Sequence, residues 1–209
     1  MDLSNYEVLK NGVIKQKIVN KITYDCEYSN KYNSYGEKGK YLSYLRLGVL
    51  LGSISKLPES ILDVGYGNGE FLKTAKNIID NCSGFDISGY PLPDDIKIEN
   101  SIFEKHFDVI CFFDSLEHFE DINILKNLNC EYIFISVPWC HNFSDEWFKN
   151  WYHLRPNEHL WHFNDKSLVT FFEENGFEKI YLGNFEDTVR KNNSCNGHPN
   201  ILSAIFKKK

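Results

Sequence analysis

The chain has 209 residues, of which 42% are hydrophobic, and its formal net charge is −6 at pH 7. This length and composition predict one globular domain with a sizeable core, and they exclude a disordered chain. The acidic balance argues against a nucleic-acid binder, because such proteins usually carry a basic surface. No apolar run is long enough for a membrane span and no signal peptide is evident, so we expect a cytoplasmic protein with reduced cysteines and no membrane partner.

The N-terminal residues 1–38 are polar and only weakly periodic, and we expect them to form an arm that precedes a domain over 39–209. Four tyrosines between positions 24 and 36 allow two interpretations of this arm. It either packs its rings on the domain surface or forms a lid over a substrate cleft. A leucine-rich stretch then predicts a helix over 40–53.

The most informative segment begins at residue 60. An apolar run over 60–65 predicts a buried strand, three glycines follow at positions 65, 67 and 69, and an apolar periodicity predicts a helix over about 69–79. Without side chains, the glycine turn lets backbone N–H groups approach a ligand, and the helix N-terminus adds positive potential. This order of elements is typical of a nucleotide-cofactor site.

The remaining chain alternates strands and helices. Two prolines near residues 91–93 are expected to shorten the crossover that follows the second strand. We predict further strands over 82–87, 96–101, 107–113, 132–137, 178–185 and 201–207, helices over 121–128 and 165–175, and a long loop over 138–163. The fold class is therefore α/β: a single Rossmann-like domain whose seven-stranded, mostly parallel sheet has an antiparallel last strand and helices on both faces.

Ligands bind such sheets at the carboxyl ends of the strands. Asp86 lies at the end of the second strand, where a carboxylate accepts hydrogen bonds from both ribose hydroxyls of a nucleotide cofactor. The glycines follow a G-x-G-x-G spacing, whereas dinucleotide-binding proteins have G-x-G-x-x-G. Little chain would also remain for the substrate domain of a dehydrogenase.

Four motifs in order resemble the class I S-adenosylmethionine-dependent methyltransferases over roughly residues 40–207. They are Leu62–Gly69, Gly84–Ser88, Phe107–His118, and Ser136–Pro138 followed by Glu158–Leu160 and Asn175–Phe177. The last set is similar to the small-molecule branch that includes ubiquinone-biosynthesis O-methyltransferases and sugar methyltransferases. The resemblance implies S-adenosylmethionine as cofactor, with contacts from Asp63, Gly65, Tyr66, Gly67, Gly69, Asp86, Ile87 and Phe113.

The resemblance also implies transfer to a hydroxyl of a small-molecule acceptor, with a sugar or nucleotide sugar favoured, by a monomer or homodimer. Two alternatives stay open. One is methylation of RNA or another macromolecule, which the acidic charge disfavours. The other is a catalytically silent module that only binds the cofactor.

A polar cluster follows the fourth strand. Asp114, Glu117 and His118 have the i, i+3, i+4 spacing of one helical face, and His159 follows in the long loop. These residues allow three interpretations: a scaffold, a general base at His118 or His159 with Asp114 nearby, or a divalent-metal site for Mg²⁺ or Mn²⁺. The four residues resemble the Glu-x-x-Glu-His plus His set of plant small-RNA 2′-O-methyltransferases, with Asp114 where those enzymes have Glu.

Overall fold

A computed structural model describes residues 3–23, 25, 36–190 and 197–209. The tyrosines at positions 24, 28, 32 and 35, on which the lid interpretation depends, lie outside the described residues. Four α-helices are present in this part of the chain: α1 (Glu37–Ser53), α2 (Glu70–Ala75), α3 (Asp145–Asn150) and α4 (Asp165–Glu174). None of them has the length and apolar character needed to cross a membrane.

Ten strands form two sheets among the described residues. They are β1 (Tyr6–Val8), β2 (Ile14–Gln16), β3 (Ser60–Val64), β4 (Asn81–Phe85), β5 (Lys97–Ile98), β6 (Phe107–Phe113), β7 (Cys130–Pro138), β8 (Trp161–His162), β9 (Phe177–Gly183) and β10 (Ile201–Lys208). The large sheet has seven strands in the order β5-β4-β3-β6-β7-β10-β9. Strands β3 to β7 in this sheet pair in parallel, and β10 runs antiparallel to both of its neighbours. The predicted fold class is confirmed.

Alternation along the buried strands places a core on each face of the sheet. Ile110 and Phe112 of β6 face one core, which α4 covers. Val109, Cys111 and Phe113 point to the opposite core, which α1 and α2 cover. The site is therefore held by strands that are buried on both sides.

Several elements differ from the sequence prediction. Helix α2 ends at Ala75, the third strand of the sheet shrinks to β5, and the helix expected over 121–128 is a 3₁₀ helix over Ile122–Asn127. The expected long loop contains α3 and β8. The described part of the arm also contains a hairpin, because β1 and β2 pair with each other and β2 pairs with β8 in a small second sheet.

Candidate functional site

The glycine turn after β3 has a backbone that only glycine adopts without strain. Gly65, Gly67 and Gly69 all have positive φ, with values of 79°, 57° and 71°. A Cβ on Gly65 would lie 2.6 Å from Cβ of Ser115, whose hydroxyl donates to the carbonyl of Val64 at 2.6 Å. The turn is therefore an open cradle of backbone groups that a side chain would fill.

Asp86 holds this turn from the end of the neighbouring strand. Its carboxylate accepts from the backbone N–H of Gly67 at 2.9 Å and from that of Ser88 at 2.8 Å. Each carboxylate oxygen has further acceptor capacity, so Asp86 remains suited to ribose hydroxyls. The next residue, Ile87, is 71% exposed and lines the same surface cavity as Asp86. An exposed aliphatic side chain in this position suits the face of an adenine ring.

Asp63 lies beneath the turn. Its side chain is buried, and Oδ1 has no hydrogen-bond partner in the described part of the chain. Burial raises the pKa of Asp63 to about 7, while the guanidinium of Arg46 opposes this shift and the charge of Asp86 adds to it. An unpartnered buried acceptor at this edge fits a ligand that brings its own donor, such as an amino acid ammonium group.

Two cavities open at this edge of the sheet. The first, of about 410 Å³, lies beside the end of β4 and includes Asp86 and Ile87. The second, of about 640 Å³, lies towards α1 and the loop after α3, and includes Asp63, Tyr66 and His159. Both are lined by Gly65, Gly67, Asp114 and His118. These four residues mark the junction of the two cavities.

Two predicted cofactor residues are held mainly by packing contacts. Gly69 lines neither cavity and instead begins α2, where a Cβ would lie 2.3 Å from Leu92. Phe113 is only 6% exposed and packs between the rings of Phe71 and Phe134, and it also lies on the lining of the second cavity.

Asp114 has a backbone φ of 52° and precedes the 3₁₀ turn over Leu116–His118. The expected common helical face with Glu117 and His118 is therefore not formed. Its carboxylate instead accepts from both terminal nitrogens of Arg190, at 2.7 and 3.0 Å. Burial alone would raise the pKa of Asp114, but Arg190 and then Arg46 outweigh it and lower the pKa to about 2.

Glu117, His118 and His159 do converge. One ligand atom from each lies within 4.8 Å of the others, and the two imidazole rings meet edge to face at 4.9 Å. Glu117 is 1% exposed, and neither of its carboxylate oxygens has a hydrogen-bond partner among the described residues. Burial raises the pKa of Glu117 well above its usual value, and the charge of Asp114 adds to this. One carboxylate and two imidazoles are a donor set that fits a divalent transition metal.

The tautomer of His159 follows from its hydrogen bond. Nδ1 lies 2.8 Å from the backbone carbonyl of His153, which only accepts, so Nδ1 carries the proton and Nε2 keeps its lone pair. Burial lowers the pKa of His159 well below its usual value, and His118 adds to this shift. His159 is therefore neutral at pH 7.

Sequence reasoning missed several residues at this site. His153 and Asn200 line the second cavity and bond to each other through Nε2 and Oδ1 at 2.8 Å. Arg46 and Arg190 share the buried carboxylate of Glu186. Asn200 is 47 positions from His153 and Glu186 is 140 positions from Arg46, so no local pattern in the sequence indicates these two contacts.

Comparison with known proteins agrees with this geometry. A family model described as "Methyltransferase domain" matches residues 36–182, which is more than half of the chain. No curated protein is significantly similar to the chain in sequence.

Similar folds occur among solved structures. A putative methyltransferase bound to the Trm112 activator from Haloferax volcanii has a TM-score of 0.65 at 11% identity, covering 90% of this chain and 99% of that one. A Burkholderia thailandensis 1,6-didemethyltoxoflavin-N1-methyltransferase, solved with S-adenosylhomocysteine, has a TM-score of 0.58 at 11% identity, covering 98% and 99%. A possible histamine N-methyltransferase from Thermotoga maritima has a TM-score of 0.60 at 15% identity, covering 88% and 97%.

The strand order, the glycine cradle beside Asp86 and the family match over most of the chain all support the same assignment. The chain belongs to the methyltransferase-domain family and is an S-adenosylmethionine-dependent methyltransferase.

Proposed function

We propose that this enzyme methylates a hydroxyl oxygen of a small molecule, with a sugar or nucleotide sugar as the favoured acceptor. The observation that carries the proposal is the convergence of Glu117, His118 and His159 next to the cavity junction. A hydroxyl is a weak nucleophile until it loses its proton, whereas a neutral amine already has a free lone pair. Groups that bind a metal or take up a proton therefore favour an oxygen acceptor.

The second cavity would hold the amino acid end of the cofactor at Asp63 and leaves room for a small acceptor. Its volume of about 640 Å³ is in the range of sites for small ligands. Tyr152 and Arg155 lie on its lining, whereas none of the four tryptophans does. The half-exposed guanidinium of Arg155, paired with Glu158 at 3.2 Å, suits a phosphate or carboxylate on the acceptor.

We further propose that Glu117, His118 and His159 hold a divalent cation. Because the pKa of His159 is lowered so strongly, the ring is a weak proton acceptor near pH 7, but its neutral form is the one that binds metals. When bound, such a cation would hold the acceptor hydroxyl and lower its pKa. Two imidazoles suit Mn²⁺ better than Mg²⁺, which prefers oxygen ligands. Asp114 is outside this set because Arg190 occupies its carboxylate.

In this arrangement S-adenosylmethionine supplies a methyl group on a positively charged sulfur. The chain supplies alignment: Gly65 and Gly67 hold the cofactor, and the shared lining at His118 places the acceptor against it. His118 thus contributes to both the proposed metal set and the junction.

The test uses cofactor labelled with ¹³C in the transferred methyl group and a panel of sugars, nucleotide sugars, phenols and amines. The ¹³C shift of the product separates an O-methyl from an N-methyl group. We expect O-methyl products that disappear with a chelator and return with Mn²⁺. N-methyl products, or products only on RNA, would contradict the proposal.

A further inference from the structure

Part of the arm, within residues 19–22, borders the first cavity. Val19, Lys21 and Ile22 line this cavity together with Gly65 and Asp86. The same three residues do not line the second cavity. The described part of the arm therefore borders the cofactor side of the site.

A set of hydrogen bonds holds this segment in place. Gln16 is 2% exposed and bonds Asn157 twice, by accepting from its backbone N–H at 2.8 Å and by donating to its Oδ1 at 2.9 Å. The same Oδ1 accepts from the backbone N–H of Asn20 at 3.0 Å. Asn157 thus fixes both the end of β2 and the start of residues 19–22.

The backbone conformation of Asn157 suits an asparagine at this position. Its φ is 69°, in the left-handed region that few residues other than glycine and asparagine adopt. The turn presents the asparagine amide to the arm, and Asn157 also lines the first cavity.

The side chains of residues 19–22 offer apolar surface that suits a flat ring. Val19 packs against the main core, whereas Ile22 remains 40% exposed beside the cavity. Ile87 lines the same cavity from the end of β4 and is 71% exposed. Two exposed aliphatic side chains from different elements, bordering one cavity, leave apolar surface that an adenine ring would cover.

We propose that residues 19–22 form one wall of the adenine pocket and that Asn157 is the positioning residue that holds this wall. This inference rests on the cofactor of the proposed function and is independent of the acceptor. It also assigns the described arm to cofactor binding, a role distinct from that of a lid over the acceptor.

The test measures binding of two probes by calorimetry, S-adenosylhomocysteine and 5′-methylthioadenosine, which lacks the amino acid portion. Ile22→Ala removes three carbons from a half-exposed wall, which should weaken binding of both probes about fivefold to tenfold. Ile18→Ala is the matched control, because Ile18 belongs to the same arm, is 70% exposed and lines neither cavity.

A second pair of variants tests the positioning role. Asn157→Gly keeps the positive φ without strain but removes the amide, and it should weaken binding of both probes about fivefold. Asn142→Gly is its control, because Asn142 also has a positive φ, of 46°, and lines neither cavity. Since Ile22→Ala leaves these hydrogen bonds in place, it remains informative if Asn157→Gly folds poorly.

Two results would overturn the inference: unchanged affinity for both probes in Ile22→Ala, or a change confined to the KM of the acceptor, which would indicate a lid. If the wild type binds both probes and the variants weaken them but no O-methyl product forms, the proposed function fails while the adenine wall stands.

Discussion

Replacing Glu117 with glutamine is expected to stabilise the metal-free protein, and increasingly so as the pH rises. Glu117 is buried without a hydrogen-bond partner among the described residues, and burial raises its pKa well above the usual value. The folded protein therefore keeps a proton that the unfolded chain releases. The stability from this proton is complete below the unfolded pKa and is lost as pH rises towards the folded pKa. Glutamine stays neutral and avoids this loss.

The size of the effect follows from proton linkage. Over each pH unit in which only the unfolded chain has ionised Glu117, the wild type loses about 1.4 kcal/mol relative to Glu117→Gln. In a domain of this size that corresponds to about 3–6 °C in Tm per pH unit. The buried histidines contribute equally to the free energy of unfolding of both chains, so their pKa shifts cancel when the wild type is compared with Glu117→Gln.

The assay is urea unfolding of both chains between pH 5 and 8, with a chelator and then with Mn²⁺. Mn²⁺ should raise the stability of the wild type and have little effect on Glu117→Gln, because a ligand that binds only the folded state stabilises it. Glu186→Gln is the matched control. Glu186 is equally buried but accepts from Arg46 and Arg190, so its neutral variant should be less stable than the wild type at pH 7.

Parallel pH curves for wild type and Glu117→Gln would refute the reasoning, because they would mean that the Glu117 carboxylate is charged and satisfied in the folded protein. A variant that is less stable throughout would do the same. In either case the cluster would serve as scaffold.

Three further predictions concern residues that line the two cavities. Gly65→Ala should lose about 1–3 kcal/mol of stability and abolish S-adenosylhomocysteine binding, because its Cβ would meet Ser115 at 2.6 Å; normal affinity by calorimetry would contradict this. Asp86→Ala should weaken the same ligand by about 1–3 kcal/mol through unpaired ribose hydroxyls, and an unchanged affinity would remove Asp86 from the site. Asp114→Asn should lower the free energy of unfolding by about 2–3 kcal/mol at pH 7, because the wild-type pKa of Asp114 is lowered to about 2. In urea unfolding, this difference should persist down to the unfolded pKa of about 4 and shrink below it. A difference that does not change with pH would mean that Arg190 does not perturb Asp114.

Much of the fold was predictable because local signals and packing agreed. The apolar runs over β3, β6 and β7 are buried on both faces of the sheet, and such strands are continuous hydrophobic segments in the sequence. The glycine turn was equally clear, since three positive φ angles in five residues require a recognisable residue type.

The hairpin of the arm was not predictable. Each of its strands has three residues, too short to show an alternation. Their stability depends on Ile14 pairing with His162 and on the small apolar cluster around Phe148, which lie far along the chain. Tertiary contacts of this kind decide the structure of segments whose own propensity is weak.

The polar cluster shows the same limit at the level of single residues. The spacing of Asp114, Glu117 and His118 suggested one helical face. Asp114 is instead in the left-handed region and precedes a 3₁₀ turn, so it does not share a face with the other two. Charge then decides its partner, since Arg190 lies within 3 Å although it is 76 positions away in the sequence. Local spacing identified the residues of the site, but not which carboxylate would be neutralised by a cation of the chain itself.

That division determines what each carboxylate is able to do. Asp114 is satisfied by Arg190 and Arg46, so it stays charged and fixed at the junction of the two cavities. Glu117 has no such cation among the described residues, so neutralisation by a proton or a bound metal would lower the free-energy cost of burying it. The loop after α3 carries both His159, which completes the proposed metal set, and Asn157, which holds the arm against the first cavity. Because only one residue separates these positions, we expect order imposed on the loop by one ligand to lower the entropy cost of binding the other, and the coupling must be equal in both directions.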